Sequence, residues 1–262
     1  MNVKDKKVFL LDMDGTLYLG NQLIDGTLDF LRHLKETGRR AVYFTNNSSK
    51  GAEKYVEKLA KLGIEAREED FVTSVNATEV YLKEKNYRKI YVMGTKSLLN
   101  QLKEAGLPVT DQLENTIDCL CIGFDTELTF SKLEDASILL TRDIDYVATN
   151  PDMTCPTEYG YVPDCGSFAQ ALYNASKRMP KIIGKPEPLM AQLAIERTGC
   201  LPEEMVVIGD RLFSDIACGS NGGIDTIFVL SGECTLEDIP KYGVTPTWIY
   251  DSIKEVYQEL IK

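Results

Sequence analysis

The stretch Val8-Phe9-Leu10-Leu11-Asp12-Met13-Asp14-Gly15-Thr16-Leu17 decides how the rest of the chain is interpreted. Its four leading apolar residues predict a parallel strand that is buried on both faces. Asp12 and Asp14 follow at the end of that strand, and Gly15 then turns the chain. Because two carboxylates this close repel each other, both stay ionised only where a cation neutralises them. A hard divalent ion such as Mg2+ meets that need, whereas the alternative is an ordinary Asp-Gly turn after a core strand.

Composition narrows the classes of function. At 262 residues the chain suits one large domain or two modest ones, and 44% hydrophobic and 26% charged residues are typical of a soluble globular protein. The formal net charge of -11 argues against a nucleic-acid partner and an anionic membrane surface, because both favour a basic face. No apolar run is long enough for a signal peptide or a membrane span, so we expect a cytoplasmic protein without membrane contact.

Cysteine and histidine usage excludes further kinds of site. Seven cysteines without a Cys-x-x-Cys pattern predict neither a disulfide framework nor a zinc site, and they fit a reducing compartment. His33 is the only histidine and is expected on the polar side of a helix between Asp25 and Gly38. The chain therefore offers almost no material for a histidine nucleophile, a Ser-His pair or a two-histidine metal site.

Small polar residues follow a second predicted strand. Residues 41–45 form an apolar run that ends in Thr45-Asn46-Asn47-Ser48-Ser49, which leads into a helix over about 50–62. Backbone amides at the start of a helix, together with hydroxyl and amide side chains, form a good cradle for an oxyanion. The alternative is a plain loop and helix cap, since Asn and Ser favour caps in any protein.

Two later strand ends carry charged residues. Lys185 follows a short apolar strand and lies between a glycine and a proline, although the usual alternative for a lysine is a solvated surface position. Asp210 follows another apolar run, and Asp215 lies five residues further on. Around a strand-to-helix turn both carboxylates can face the crevice in which ligands bind in open α/β sheets.

The middle third has a strand and helix alternation of its own, without an acidic pair or a Gly-Lys-Pro signal. We therefore predict a core formed by residues 1–79 and 181–262, and an inserted domain over residues 80–180, which is a normal domain size. Within the insertion, Ser131 with Glu134 predicts a capping box. Residues 150–167 are expected to be irregular.

Together, the four strand-end motifs resemble those of the haloacid dehalogenase-like (HAD) hydrolases, in the same order and over essentially the whole chain. The resemblance implies an α/β fold: a doubly wound, Rossmann-like parallel sheet core with an inserted α/β cap domain. Because the insertion lies between the second and third motifs and contains Thr149-Asn150-Pro151-Asp152, it resembles the C2-type cap of the class IIA branch, which is NagD-like and includes 4-nitrophenylphosphatases. That branch usually has Asp-Thr-Asp in the fourth motif, where this chain has Phe213-Ser214-Asp215.

The resemblance also implies catalytic and metal-binding roles. Asp12 is expected to be the nucleophile, and Asp14 the general acid and base. Mg2+ is expected to be held by Asp12, the main-chain carbonyl of Asp14 and Asp210, while Asp215 orients these ligands.

Two further sets of residues are expected to bind the substrate by the same resemblance. The residues expected to hold the phosphoryl oxygens are Thr45, Asn46, Asn47 and Lys185. The residues of the cap expected to face the organic part of the substrate are Asp152, Thr154 and Cys155.

These roles imply a Mg2+-dependent phosphatase that cleaves small phosphomonoesters through an aspartyl-phosphate, with 4-nitrophenyl phosphate as an artificial substrate. Sugar phosphates, nucleotides and similar metabolites all remain open as the physiological substrate. The alternatives are a phosphotransferase or mutase acting on sugar phosphates, and a phospho-accepting regulatory domain without turnover. A dehalogenase would have no use for Asp14, because that reaction has no leaving oxygen to protonate. The oligomeric state is also open, with a homodimer among the alternatives.

Overall fold

Short apolar runs form most of the strands in the computed structural model of the chain, which describes residues 2–157 and 159–262. Within these residues the strands are, in chain order, β1 (Val8–Leu11), β2 (Tyr18–Leu19), β3 (Gln22–Leu23), β4 (Arg40–Thr45), β5 (Phe71–Thr73), β6 (Ile90–Met93), β7 (Val109–Thr110), β8 (Cys119–Ile122), β9 (Asp145–Ala148), β10 (Thr154–Thr157), β11 (Gly160–Pro163), β12 (Lys181–Ile182), β13 (Met205–Gly209), β14 (Asp225–Val229) and β15 (Trp248–Tyr250).

Helices alternate with these strands along most of the chain. They are α1 (Thr27–Glu36), α2 (Ala52–Lys61), α3 (Ser74–Lys85), α4 (Lys96–Glu104), α5 (Phe130–Leu140), α6 (Cys165–Ser176), α7 (Leu189–Thr198), α8 (Ala217–Asn221), α9 (Ile239–Tyr242) and α10 (Ile253–Ile261). Among the described residues, none of these helices has both the length and the apolar character needed to cross a membrane.

The chain divides into two compact units. The first consists of Met1–Thr45, Tyr55–Val72 and Lys185–Lys262, and the second of Asn46–Lys54 and Thr73–Gly184. These divisions differ from the predicted ones, because residues 73–79, 181–184 and 46–54 lie in the second unit. The assignment of the two units as a core and a cap stays a prediction.

The sheet of the first unit has the strand order β15-β14-β13-β1-β4-β5. All four residues of β1 are buried, and the strand runs parallel to β13 on one side and to β4 on the other. From β1 the chain adds β4 and β5 on one side and later β13, β14 and β15 on the other, so the order reverses at β1. This reversal is the doubly wound arrangement predicted from the sequence.

Helix α1 anchors the central strand. Its buried residues include Phe30 and Leu34, which lie four apart and therefore on one face of the helix. The ring of Phe30 meets that of Phe9 in β1 edge-on, with centroids 5.6 Å apart. Aromatic pairs in this geometry add to the stabilisation from burial alone, so the strand that carries the acidic pair is held firmly.

The second unit has a parallel sheet of its own, with the order β12-β9-β8-β6-β7. Strands β6 and β8 are buried along their whole length. Their side chains join those of α5 and α6 in one apolar cluster, which includes Met93, Leu120, Leu139 and Phe168. The predicted strand and helix alternation in this part of the chain is confirmed.

The described part of the segment 150–167 is largely regular from residue 154 onward, contrary to the prediction. Strands β10 and β11 pair antiparallel as a two-stranded hairpin, and α6 begins at Cys165. Proline is tolerated here because both strands of a two-stranded sheet are edge strands. Pro156 lies opposite Tyr161, and Pro163 lies opposite Thr154.

Hydroxyl side chains cap helices at the C-terminal end of the chain and in its middle. Ser252 caps α10: its Oγ accepts a hydrogen bond from the Lys254 amide and donates one to Glu255. The predicted cap at Ser131 is wrong, because α5 begins two residues earlier and Thr129 accepts the hydrogen bond from the Lys132 amide. Both hydroxyls suit a cap, so residue type alone could not decide between them.

Candidate active site

Parallel pairing places the first aspartate at the point where the strand order reverses. Leu11, the last residue of β1, lies opposite Ile208 of β13 and Tyr43 of β4. The next residue, Asp12, donates its amide hydrogen to the Ile208 carbonyl over 2.9 Å. Asp12 therefore lies just beyond the carboxyl ends of three adjacent strands, where ligands bind in sheets of this type.

Lys185 is buried in this acidic site, so the alternative of a solvated surface lysine is wrong. Its Nζ donates to Asp12 Oδ1 over 2.8 Å, to Asp215 Oδ1 over 2.6 Å and to the Phe44 carbonyl over 2.8 Å. Burial lowers the pKa of Lys185, but the charges of Asp12 and Asp215 outweigh burial and raise that pKa above its ordinary value. The ammonium group therefore stays charged and links the two carboxylates.

Three carboxylates converge around this lysine. Asp12, Asp210 and Asp215 each offer one oxygen atom, and these atoms lie within 4.8 Å of one another. Burial and, next, the charge of Asp12 raise the pKa values of both Asp210 and Asp215 above the usual range of aspartate. A buried group of this kind needs a cation to hold all three carboxyl groups in their charged form.

The surroundings of Asp210 fit a metal ion. Its Oδ1 is buried and accepts no hydrogen bond from the described residues, whereas its Oδ2 accepts one from the Glu233 amide over 2.7 Å. Gly15 and Gly232 both pass so close that a Cβ atom at either position would overlap with this carboxylate. A bare, buried carboxylate oxygen beside a second carboxylate suits a hard divalent cation.

Asp215 is placed to orient the other groups. Its Oδ1 accepts from Lys185 and its Oδ2 from the Arg211 amide, so both oxygens already have protein partners. The departure at Phe213-Ser214 does not displace it, because residues Leu212–Ile216 form a π-helical turn that directs Asp215 inward. Phe213 packs on the ring of Tyr242, with centroids 5.2 Å apart.

Asp14 lies apart from the buried cluster. Its side chain is 42% exposed, and its Oδ2 lies 3.8 Å from Nζ of Lys58. Burial and the charge of Asp12 raise the pKa of Asp14, while Lys58 opposes the rise. A carboxyl group with a raised pKa and access to solvent can carry a proton to a leaving group and take one from water.

Two parts of the site were missed in the sequence. The loop after β14 contributes Ser231, whose Oγ donates to the Gly15 carbonyl over 2.7 Å, and Glu233, which pairs with Arg211 at 2.9 Å. The signal for this loop was its place after a strand that neighbours β13. Lys58 had no signal, because one lysine of α2 resembles the others until the tertiary structure is known.

The predicted substrate residues fall into separate places. Thr45 is buried at the end of β4 in the first unit. In the second unit, Asn46 Nδ2 donates to Asp152 Oδ2 over 3.1 Å, so the structure brings these two residues together.

The remaining predicted substrate residues have local surroundings. Asn47 Oδ1 accepts from the amide and the hydroxyl of Ser49, which is a local turn. Thr154 is exposed and Cys155 half-buried on strand β10.

Known relatives match nearly the whole chain. The family model of haloacid dehalogenase-like hydrolases matches residues 9–108, and that of HAD-hydrolase-like proteins matches residues 182–256. An acid sugar phosphatase of Staphylococcus aureus (strain MRSA252) is 36% identical over 261 residues, which are 99% of this chain and 100% of the relative.

Solved structures of phosphatases are also similar to nearly the whole chain. The crystal structure of a 4-nitrophenylphosphatase from Thermotoga maritima is 38% identical, covers 98% of each chain and superposes with a TM-score of 0.91. A glycerol phosphate phosphatase from Mycobacterium tuberculosis, solved with calcium, is 28% identical and covers 98% of this chain and 76% of its own, also with a TM-score of 0.91. The same enzyme has been solved with magnesium.

Proposed function

The chain belongs to the haloacid dehalogenase-like hydrolases, and we propose that it hydrolyses small phosphomonoesters through an aspartyl-phosphate on Asp12, with Mg2+ as its metal. It is a phosphatase, that is, a phosphoric monoester hydrolase. One observation carries the proposed mechanism: buried Lys185 bonds to Asp12 and Asp215 at once, beside the bare oxygen of Asp210. This arrangement supplies a carboxylate nucleophile together with the positive charge that phosphoryl transfer requires.

The reaction takes two steps on one carboxylate. An oxygen of Asp12 attacks phosphorus as the bond to the leaving oxygen breaks, and Asp14 gives its proton to that oxygen. A water molecule then attacks the phosphorus of the aspartyl-phosphate while Asp14 takes its proton. The bond between phosphorus and Asp12 breaks, inorganic phosphate leaves, and both carboxyl groups return to their initial states.

The acidic cluster supports a divalent cation as cofactor. Asp12, the main-chain carbonyl of Asp14 and Asp210 would hold it, and Asp215 would orient them. When bound, Mg2+ offsets the negative charge of the phosphoryl group. The complexes of the relative from M. tuberculosis with calcium and with magnesium support a divalent metal as cofactor. Lys185 adds the second positive charge, and Thr45, Asn46 and Asn47 add hydrogen bonds to the phosphoryl oxygens.

The substrate class is a small phosphorylated metabolite, and we favour a sugar or polyol phosphate. The named relatives include an acid sugar phosphatase and a glycerol phosphate phosphatase. Because the residues around Asp12 serve only the phosphoryl group, other residues must recognise the organic part. We assign that role to Asp152, Thr154 and Cys155 of the second unit.

Turnover distinguishes the proposed function from its alternatives. Incubation with 4-nitrophenyl phosphate and Mg2+ should release many product molecules for each enzyme molecule, and excess chelator should abolish that release until Mg2+ is added back. Ca2+ should bind but support turnover poorly, because it tolerates looser geometry.

A single labelling without turnover would indicate a phospho-accepting domain. Transfer of the phosphoryl group to a sugar hydroxyl rather than to water would indicate a phosphotransferase or mutase. Full activity in excess chelator would overturn the metal assignment.

We also propose a cytosolic location, which the buried cysteines support. No disulfide joins the buried cysteines within the described part of the chain, as is usual in a reducing compartment. These cysteines are Cys119, Cys121, Cys165, Cys218 and Cys234. A homodimer remains part of the same proposal. Light scattering after size-exclusion chromatography measures the oligomer mass and would show a monomer if the dimer does not form.

A further inference from the structure

Lys58 stands out among the lysines of α2. This helix buries Tyr55 and Leu59, so Lys58 lies at the border of the buried face, and its side chain is only 31% exposed. Its ammonium group points to the first motif, where Nζ lies 3.8 Å from Asp14 Oδ2. By contrast, Lys61 in the last turn of the same helix is exposed.

A buried aromatic ring fixes the position of this ammonium group. Nζ of Lys58 lies 3.9 Å from the centroid of the Tyr18 ring, and Tyr18 is fully buried. A cation at this distance over an aromatic face is attracted by the negative face of the ring, and more strongly where it is shielded from water. The Gly15 amide donates to the Tyr18 carbonyl over 2.9 Å, so a backbone hydrogen bond joins the residue after Asp14 to the residue that carries the ring.

The carboxyl group of Asp14 needs a partner that holds it in position, because its side chain is partly exposed. The buried cation of the site, Lys185, already donates to Asp12, Asp215 and Phe44. Arg211, another cation close by, forms an ion pair with Glu233. A general acid works only when its oxygen lies within hydrogen-bond reach of the atom that it protonates. An error of about 1 Å in such a position can reduce the rate about a hundredfold.

We propose that Lys58 is a positioning residue, which, seated on the ring of Tyr18, holds the Asp14 carboxyl group in place for proton transfer. Because Asp14 is the acid only in the phosphatase reaction described above, this role rests on the proposed function. The competing role is direct binding of the substrate phosphoryl group by Lys58. The two roles differ in one respect: positioning of the acid matters most where the leaving group needs a proton.

The test compares kcat/KM for two substrates, since this ratio reports the steps up to the first loss of product. Glycerol phosphate leaves as an alkoxide that needs protonation, whereas 4-nitrophenyl phosphate leaves as a stable phenolate. Lys58→Met should lower kcat/KM for glycerol phosphate by roughly ten- to a hundredfold, and the loss for 4-nitrophenyl phosphate should be clearly smaller. Lys58→Arg should restore much of the activity on glycerol phosphate, because it restores the cation.

Two controls accompany these variants. Lys61→Met removes an exposed lysine of the same helix and should change neither ratio. In the double variant with Asp14→Asn, Lys58→Met should add little further loss, because residues that act as a unit are not additive. Thermal unfolding of each variant verifies the fold.

Each outcome decides the proposal. Equal losses on both substrates would show that Lys58 binds the phosphoryl group, and wild-type ratios would show that it does neither; both results overturn the positioning role. A full additional loss in the double variant would do the same. If Asp14→Asn alone retained wild-type activity on glycerol phosphate, the role of Asp14 in the proposed function would fail instead.

Discussion

At the scale of single residues, two glycines determine how closely the chain surrounds the Asp210 carboxylate. Gly15 has a φ of +86°, which L side chains rarely adopt, so it is required by its backbone as well as by its lack of a side chain. Gly232 lacks this backbone requirement, and only the space at Asp210 demands glycine there. Because Asp210 is buried and held by the Glu233 amide, it has little room to yield.

Gly232→Ala tests the role of Asp210 in metal binding. The added methyl group should push the carboxylate aside and raise the Mg2+ concentration for half-maximal activity by roughly tenfold or more, as is typical when the support of a metal ligand is disturbed. A Mg2+ titration of the phosphatase rate measures the change.

Ser231→Ala is the matched control for this substitution. It removes the hydrogen bond to the Gly15 carbonyl but places no atom next to Asp210, so the Mg2+ requirement should change much less. An unchanged Mg2+ requirement in Gly232→Ala would contradict the role of Asp210 as a metal ligand.

At the scale of elements, the β10–β11 hairpin is the part of the second unit to which we assign substrate recognition. Its side chains are largely exposed, and Tyr159 at its turn is 84% exposed. An exposed hairpin that contributes little to a core is free to vary its side chains without loss of the fold, as functional loops do. This freedom suits a segment that recognises the variable part of a substrate.

Substitutions in the hairpin should therefore change which substrates are preferred. Thr154→Ala and Tyr159→Ala should alter the order of rates in a panel of phosphorylated sugars, polyols and nucleotides, with a much smaller effect on 4-nitrophenyl phosphate. Phe130→Ala is the control, because Phe130 is 79% exposed elsewhere in the same unit and should leave the order unchanged. If the hairpin variants lose all substrates in equal proportion, the segment has only a structural role.

The same hairpin shows what could not be predicted from the sequence. Strands β1, β4 and β13 were predictable because continuous apolar runs are the signature of buried parallel strands. The hairpin has no such apolar run. Pro156, Gly160 and Pro163 interrupt the alternation of apolar and polar residues that would indicate a strand, so the hairpin is recognised only from the pairing between its own strands.

The residues of the candidate site also differ in whether the sequence could predict them. Asp12, Lys185 and Asp210 follow apolar runs in the sequence, and their place in the chain predicted that they meet. Lys58 reaches Asp14 from the side of a helix, so only the tertiary structure brings the two residues together.

At the scale of the whole molecule, function follows from the reversal of strand order at β1. Because the chain adds strands first on one side of β1 and later on the other, a crevice forms beyond the carboxyl ends of β1 and β13. Asp12 follows the end of β1, and Asp210 follows the end of β13. The buried lysine that joins Asp12 to Asp215 makes this crevice a place for the transfer of a charged group. In the proposed mechanism, the phosphoryl group passes through Asp12 itself.

Direct capture of the covalent intermediate tests that claim. The enzyme is mixed with 4-nitrophenyl phosphate and Mg2+, quenched in acid within the first turnovers, digested and analysed by mass spectrometry. We predict a phosphorylated peptide with the modification on Asp12, and we predict neither this peptide nor turnover for Asp12→Asn. Phosphorylation of a different residue, or undiminished turnover by the Asp12→Asn variant, would show that Asp12 is not the nucleophile.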